Sequence, residues 1–161
     1  MIIRPTAAFM LGHPARFVAL GFGTGLAPAA PGTVGTLLGF PLYWLLAHWL
    51  PQPVLLGVIA GGFLLGVWAC GRTGRDLGIA DHSAMVWDEV IAFMLVLMLT
   101  PRGIFWQALA FFAFRAFDVL KPPPIRHIDR TVKGGFGVMF DDIVAAFYTL
   151  LLMAVLKRLL S

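Results

Sequence analysis

Two adjacent acid pairs, Asp88-Glu89 and Asp141-Asp142, hold half of the eight acidic residues in this chain of 161. Each stands at the N-terminal edge of an apolar run, IAFMLVLML and IVAAFYTLLLM respectively. Carboxylates are hard oxygen ligands, and Mg²⁺ takes one or two of them together with waters and phosphate oxygens. Four carboxylates beside a membrane therefore suit one or two divalent cations held against a lipid phosphate. The plain alternative is local: acids in a helix's first turn cap free N–H groups and favour its dipole. A charge within hydrocarbon costs ~2.5–3.5 kcal/mol on insertion scales. Two such pairs in an acid-poor chain thus point to function.

Three other stretches carry candidate chemistry. RAFDVLKPPPIRHIDRTVKGG gathers Arg115, Lys121, Arg126, Arg130 and Lys133 around three prolines. Asp118 lies three residues from both Arg115 and Lys121, one helix face if the helix continues that far. Arg and Lys here can grip a phosphate, or they form a basic loop that sets membrane topology. GFGTGLAPAAPGTVGT leads into an apolar run, with Thr33 placed to cap a helix whose exposed N–H groups attract phosphate. Its glycines serve equally for close helix packing, and their spacing fits no nucleotide loop. Asp81-His82 and His127-x-Asp129 are metal ligands, an acid–base pair, or ordinary surface contacts. Cys70-Gly-Arg-Thr-Gly-Arg75 is one residue short of a cysteine phosphatase loop and ends an apolar run, so Cys70 reads as structural. His13 and His48 belong to no pattern.

The elements that must position these groups are helices in a bilayer. The chain is 60% hydrophobic and 12% charged, with mean hydropathy +0.88; soluble domains run nearer half apolar and a quarter charged. The net charge of +4 does not indicate nucleic acid, because basic residues alternate with acids and flank apolar runs. One cysteine excludes an internal disulfide and a cysteine zinc site. The N-terminus does not read as a cleavable signal peptide.

Five apolar segments run over Val34–Leu50, Val54–Cys70, Val90–Leu99, Ile104–Phe114 and Ile143–Leu156. Extending the third back to Ala84 and the fourth on to Val119 gives helices of about 16 residues, roughly 24 Å long. The segments are apolar nearly all round and lack the alternation of a β-barrel. The expected fold is all-α: one integral membrane domain over 1–161, a bundle of about five membrane-embedded helices. The polar stretches Arg16–Thr36, Gly71–Glu89 and Arg115–Asp142 then share one side, with most of the basic residues. The positive-inside rule makes that side cytoplasmic, with the N-terminus inside and the C-terminus outside. Lys157-Arg158 opposes the C-terminal assignment, and the fifth segment can instead be half-inserted. Nothing in the sequence speaks to oligomeric state.

Four of these motifs occur together, and in order, in a known family. GFGTGLAPAAPGTVGT (21–36), DHSAMVWDE (81–89), RAFDVLKPPPIRHIDR (115–130) and GGFGVMFDD (134–142) resemble phosphatidylglycerophosphatase A along nearly the whole chain. Pro123 departs from the pattern, where an aromatic often separates the prolines. The resemblance implies a Mg²⁺-dependent phosphatase of the bacterial inner membrane that converts phosphatidylglycerol phosphate to phosphatidylglycerol. It implies an all-helical domain with one central helix, as in soluble relatives. It also makes Asp81, Asp88, Glu89, Asp118, Asp129, Asp141 and Asp142 the leading metal and catalytic candidates.

The expected assignment follows. Asp88, Glu89, Asp141 and Asp142 hold the cation, joined by Asp118 and Asp129. Arg115, Lys121, Arg126, Arg130 and Thr33 bind the phosphate, and Asp81 or His82 supplies the leaving group's proton. Two other readings give different expectations. A CDP-alcohol phosphotransferase requires an Asp-x-x-Asp-Gly-x-x-Ala-Arg run, which is missing here. A cation carrier would place its acids near mid-membrane.

Overall fold

The structure, a computed structural model, describes residues 4–161. Its elements are α1 (Ala7–Leu11), α2 (Pro14–Ala19), a 3₁₀ segment (Gly21–Leu26), α3 (Pro31–Trp49), α4 (Gln52–Leu77), α5 (Trp87–Leu99), α6 (Ile104–Leu120), α7 (Ile125–Thr131) and α8 (Gly134–Leu160). No strand occurs among the described residues, as the lack of alternation predicts.

Helix α5 is the axis of the bundle. Most of its side chains are buried, and α3, α4, α6 and α8 all pack on it. Helices α4 and α8, of 26 and 27 residues, are long and apolar enough to cross a membrane. Only 28% and 22% of their most apolar windows are buried. A core helix of a water-soluble protein would bury most of that surface. Leu64, Trp68, Phe147 and Leu151 instead face outward, as lipid contact allows. Helices α3, α5 and α6, of 19, 13 and 17 residues, do not meet the same test.

Several boundaries differ from the sequence reading. Helix α5 begins at Trp87, not Ala84, because His82 Nδ1 accepts from Ala84 N–H and the Val86 amide bonds to Ala19, tying the preceding residues into a turn. Helix α8 begins at Gly134, nine residues before Ile143. Its glycines cost helix propensity, ~1 kcal/mol each, but permit close approach. A Cβ on Gly135 would lie 1.9 Å from the Val67 carbonyl oxygen of α4, and one on Gly137 2.0 Å from that of Val132. Helix α3 begins at Pro31, and Ala30, not Thr33, holds its N-cap position with no side-chain cap.

Candidate metal and phosphate site

The end of the bundle where α5 and α8 begin concentrates the acids. Trp87 Nε1 donates to the Gly62 carbonyl of α4 at 2.9 Å, which fixes the rotation of α5. With 3.6 residues per turn, the next two residues, Asp88 and Glu89, then turn toward α8 and α6. Asp141 and Asp142 lie two turns inside α8, not at its edge, so capping a helix end does not explain them.

Carboxylate oxygens come within 4.8 Å of one another in three groups: Asp88, Asp141 and Asp142; Glu89, Asp118 and Asp142; and Asp81, Asp129 and Asp141. Asp141 and Asp142 link the groups into one cluster. Seven of the eight acidic residues take part. The eighth, Asp76, ties α2 to α4 by accepting from Arg16 and Arg72.

Two basic residues already sit in this cluster. Arg115 pairs with Asp118 and lies 3.8 Å from Glu89. Lys121, at the C-cap of α6 with φ 47°, donates to Asp129 at 2.9 Å and Asp141 at 3.3 Å. Burial works against the Lys121 ammonium, but the bond to Asp129 and the charge of Asp141 outweigh it and push its pKa above the usual value. Among the described residues Asp88 and Asp142 have no basic partner, and the group they form with Asp141 contains only the one contact to Lys121.

Among the described residues, the buried carboxylate oxygens without a hydrogen bond mark the same place. They are Asp88 Oδ1, Glu89 Oε2, Asp141 Oδ1 and Asp142 Oδ2, one from each residue of the two acid pairs. Asp88, Asp141 and Asp142 are 5%, 3% and 2% exposed. Orphaned buried carboxylate oxygens are costly unless something binds them. All donors are oxygen, which suits a hard cation such as Mg²⁺. The residues therefore fit the implied ion. Arg115 Nε is likewise buried and unpartnered, a donor left over for an anion.

The glycine-rich segment reaches the site at one point. A Cβ on Gly32 would lie 3.0 Å from Glu89 Oε1 and 3.1 Å from Arg115 Nη2. Gly25 and Gly35 instead serve close packing, against the Ala84 carbonyl and the Val86 side chain. The packing meaning of this motif is realised at Gly25 and Gly35, while Gly32 borders the carboxylate cluster.

A cleft of about 280 Å³, lined by Asp81, Asp129, Lys133 and Gly134 among others, opens the cluster to the outside. Asp81 is exposed at this mouth. Other expected residues stand apart. His82 is buried, its Nδ1 engaged by Ala84, and it joins none of the carboxylate groups. Arg126 donates to the Leu120 carbonyl, and Arg130 is exposed without a side-chain partner. Thr33 makes no side-chain hydrogen bond. Cys70 is buried in the core, as expected of a structural residue. Two residues escaped the sequence reading. Gly32 looked like any glycine of its motif, and Trp87 like any apolar neighbour of Asp88.

Residues 17–157 match the family model described as phosphatidylglycerophosphatase A. A protein of that name from Escherichia coli is 43% identical over 84% of this chain and 78% of its own. Another from Haemophilus influenzae is 42% identical over 91% of both chains. A Bacteroides thetaiotaomicron protein named putative phosphatidylinositol-3-phosphatase is 37% identical over 87% of this chain and 91% of its own. No solved structure matches. With residues 17–157 matched by the family model and relatives of that name 42–43% identical over most of its length, the chain belongs to the phosphatidylglycerophosphatase A family of phosphatases.

Proposed function

We propose that the protein hydrolyses the phosphomonoester of phosphatidylglycerol phosphate, releasing phosphatidylglycerol and phosphate, with Mg²⁺ held by the carboxylate cluster. The observation that carries this reading is the buried set of four unpartnered oxygens on Asp88, Glu89, Asp141 and Asp142. The names of the relatives supply the substrate. Phosphatidylglycerol phosphate and phosphatidylinositol 3-phosphate share one chemical plan: a phosphodiester next to the diacylglycerol and a phosphomonoester farther out on a polyol.

Asp88, Asp141 and Asp142 would hold the ion, with Glu89 and Asp118 completing the cluster. When bound, the cation offsets phosphate charge and acidifies a water. The chain's own groups do the rest. Arg115 directs its unpartnered Nε, and Lys121 its ammonium, at the charge that spreads over the phosphate oxygens during transfer. Asp81, exposed at the mouth, supplies the proton that the leaving glycerol oxygen needs. His82, held by Ala84, orients the turn that carries Asp81. Arg126 and Arg130 act at longer range, attracting anionic lipid to this face.

In this reading α3, α5 and α6 also lie within the membrane boundary, beside α4 and α8. The acid-rich end faces the cytoplasm of a bacterial inner membrane, in line with the basic residues on that side. Phosphate release by the purified chain from phosphatidylglycerol phosphate, with Mg²⁺ and with a chelator, tests the proposal. Turnover that survives exhaustive chelation removes the metal, and no turnover under any condition removes the substrate.

A further inference from the structure

Beside the acidic cleft lies a second cleft of about 330 Å³, lined by Gly71, Gly74, Arg75, Gly78, Gly134 and Gly135. The two share Ala80 and Gly134 in their linings, so they adjoin as the two halves of a trough. The first half ends on carboxylates and the second on an arginine. Arg75 is exposed and has no carboxylate partner, whereas Arg16, Arg72, Arg115 and Lys121 are all paired. Its Nη1 lies 4.0 Å from where a Cβ on Gly71 would stand, so the guanidinium hangs over a floor without side chains. Along α4, Leu64, Trp68, Gly71 and Arg75 follow one another at helical spacing on one face. Leu64 and Trp68 are 69% and 49% exposed. That face is apolar toward the middle of the helix and cationic at the trough.

We infer that the Arg75 cleft is a headgroup subsite that binds the phosphodiester of a lipid whose phosphomonoester lies at the carboxylate cluster. The inference rests on the proposed function and adds the basis of its headgroup selectivity. A short polyol joins the two phosphates of such a lipid, and the trough offers one position for each. The acyl chains leave along Trp68 and Leu64 into the bilayer. Guanidinium grips phosphate oxygens with paired N–H groups, and glycine backbone lets a headgroup approach closely. A lipid with only a monoester, such as phosphatidic acid, has nothing to place at Arg75.

The test uses the full chain in mixed micelles, with phosphatidylglycerol phosphate and phosphatidic acid of matched acyl chains. Arg75→Gln is expected to raise KM for phosphatidylglycerol phosphate about tenfold or more. The ratio of kcat/KM between the two lipids falls by the same factor, and Arg75→Lys recovers part of it. An unchanged ratio overturns the subsite, including the case where both lipids lose activity equally. A second readout does not depend on hydrolysis. Phosphatidylglycerol keeps the diester and lacks the monoester, so native mass spectrometry should show it retained by wild type over diacylglycerol and lost from Arg75→Gln. Equal retention by both proteins overturns the subsite. A wild type that retains phosphatidylglycerol through Arg75 yet hydrolyses neither lipid overturns the proposed function and leaves the subsite standing.

Discussion

Lys121 Nζ lies 3.3 Å from Asp141 Oδ2, while the other oxygen of the same carboxylate is buried without a partner. Asp141 thus looks two ways, toward a resident ammonium on one side and toward Asp88 and Asp142 on the other. A carboxylate with one oxygen satisfied and one free is held in place before any ion arrives, which limits the ordering that binding must pay for.

Replacing Asp88 or Asp142 by Asn should separate stability from activity. Each carboxylate is buried with no basic partner, so the neutral isostere relieves a charge cost in the metal-free protein. We expect a higher melting temperature in chelator for each variant and at least about 100-fold lower kcat with Mg²⁺, since even outer-shell changes at metal sites cost 10–100-fold. Melting curves and phosphate release on the same samples check both, and near-wild-type turnover in either variant would remove that residue from the site.

Metal should stabilise the fold as well as activate it. At 100 times its dissociation constant, a ligand specific for the native state adds about 2.7 kcal/mol. Mg²⁺ should therefore raise the wild-type melting temperature in detergent, and Ca²⁺ or Mn²⁺ should do so too, because the donors are all oxygen. The same additions should leave Asp142→Asn nearly unmoved, since Asp142 belongs to two of the three carboxylate groups.

Three glycine-to-alanine changes should give three different outcomes. In Gly32→Ala the new methyl meets the ends of Glu89 and Arg115, so activity should drop about tenfold or more with little loss of stability. In Gly135→Ala it meets backbone of α4 at 1.9 Å, and the fold should lose about 1–3 kcal/mol or more. A Cβ at Gly61 meets nothing within 4 Å, and Gly61→Ala should be neutral or stabilising by up to about 1 kcal/mol. Equal behaviour of the first two in paired melting and turnover assays would deny Gly32 its place at the site.

Acid should loosen the contact between α7 and the end of α6. Burial favours the neutral form of Asp129, but the hydrogen bond and charge of Lys121 outweigh it and hold this carboxyl below its ordinary range. A pKa lowered by folding contributes stability that is complete above the unfolded value, ~3.9, and vanishes as pH falls through the folded value. Asp129→Asn should flatten the stability curve of metal-free protein below about pH 4. An acid limb identical to wild type would show that the pair adds nothing.

Composition and the acid doublets made the helical class and four members of the buried carboxylate cluster readable before any coordinates. Asp88, Glu89, Asp141 and Asp142 stood out because charge is rare in this chain and costly beside hydrocarbon. The start of α8 did not, because GGFG carries the local signature of a loop; only contact with Val67 and Val132 explains glycine there. Thr33 shows the reverse error. Its residue type suits a cap, but the backbone turns at Ala30, with φ 47°, and moves the helix start upstream. The three-way grouping through Asp141 and Asp142 is a property of how α5, α6 and α8 pack, which residue order does not reveal.

The depth of Asp142 along α8 has its own consequence. It lies eight residues past Gly134, about 12 Å down the axis. If α8 crosses the bilayer, the carboxylates hang below its acid-side end, within the depth of one leaflet. A substrate can then slide in sideways without being lifted toward water, an extraction that would expose each methylene at ~0.8 kcal/mol.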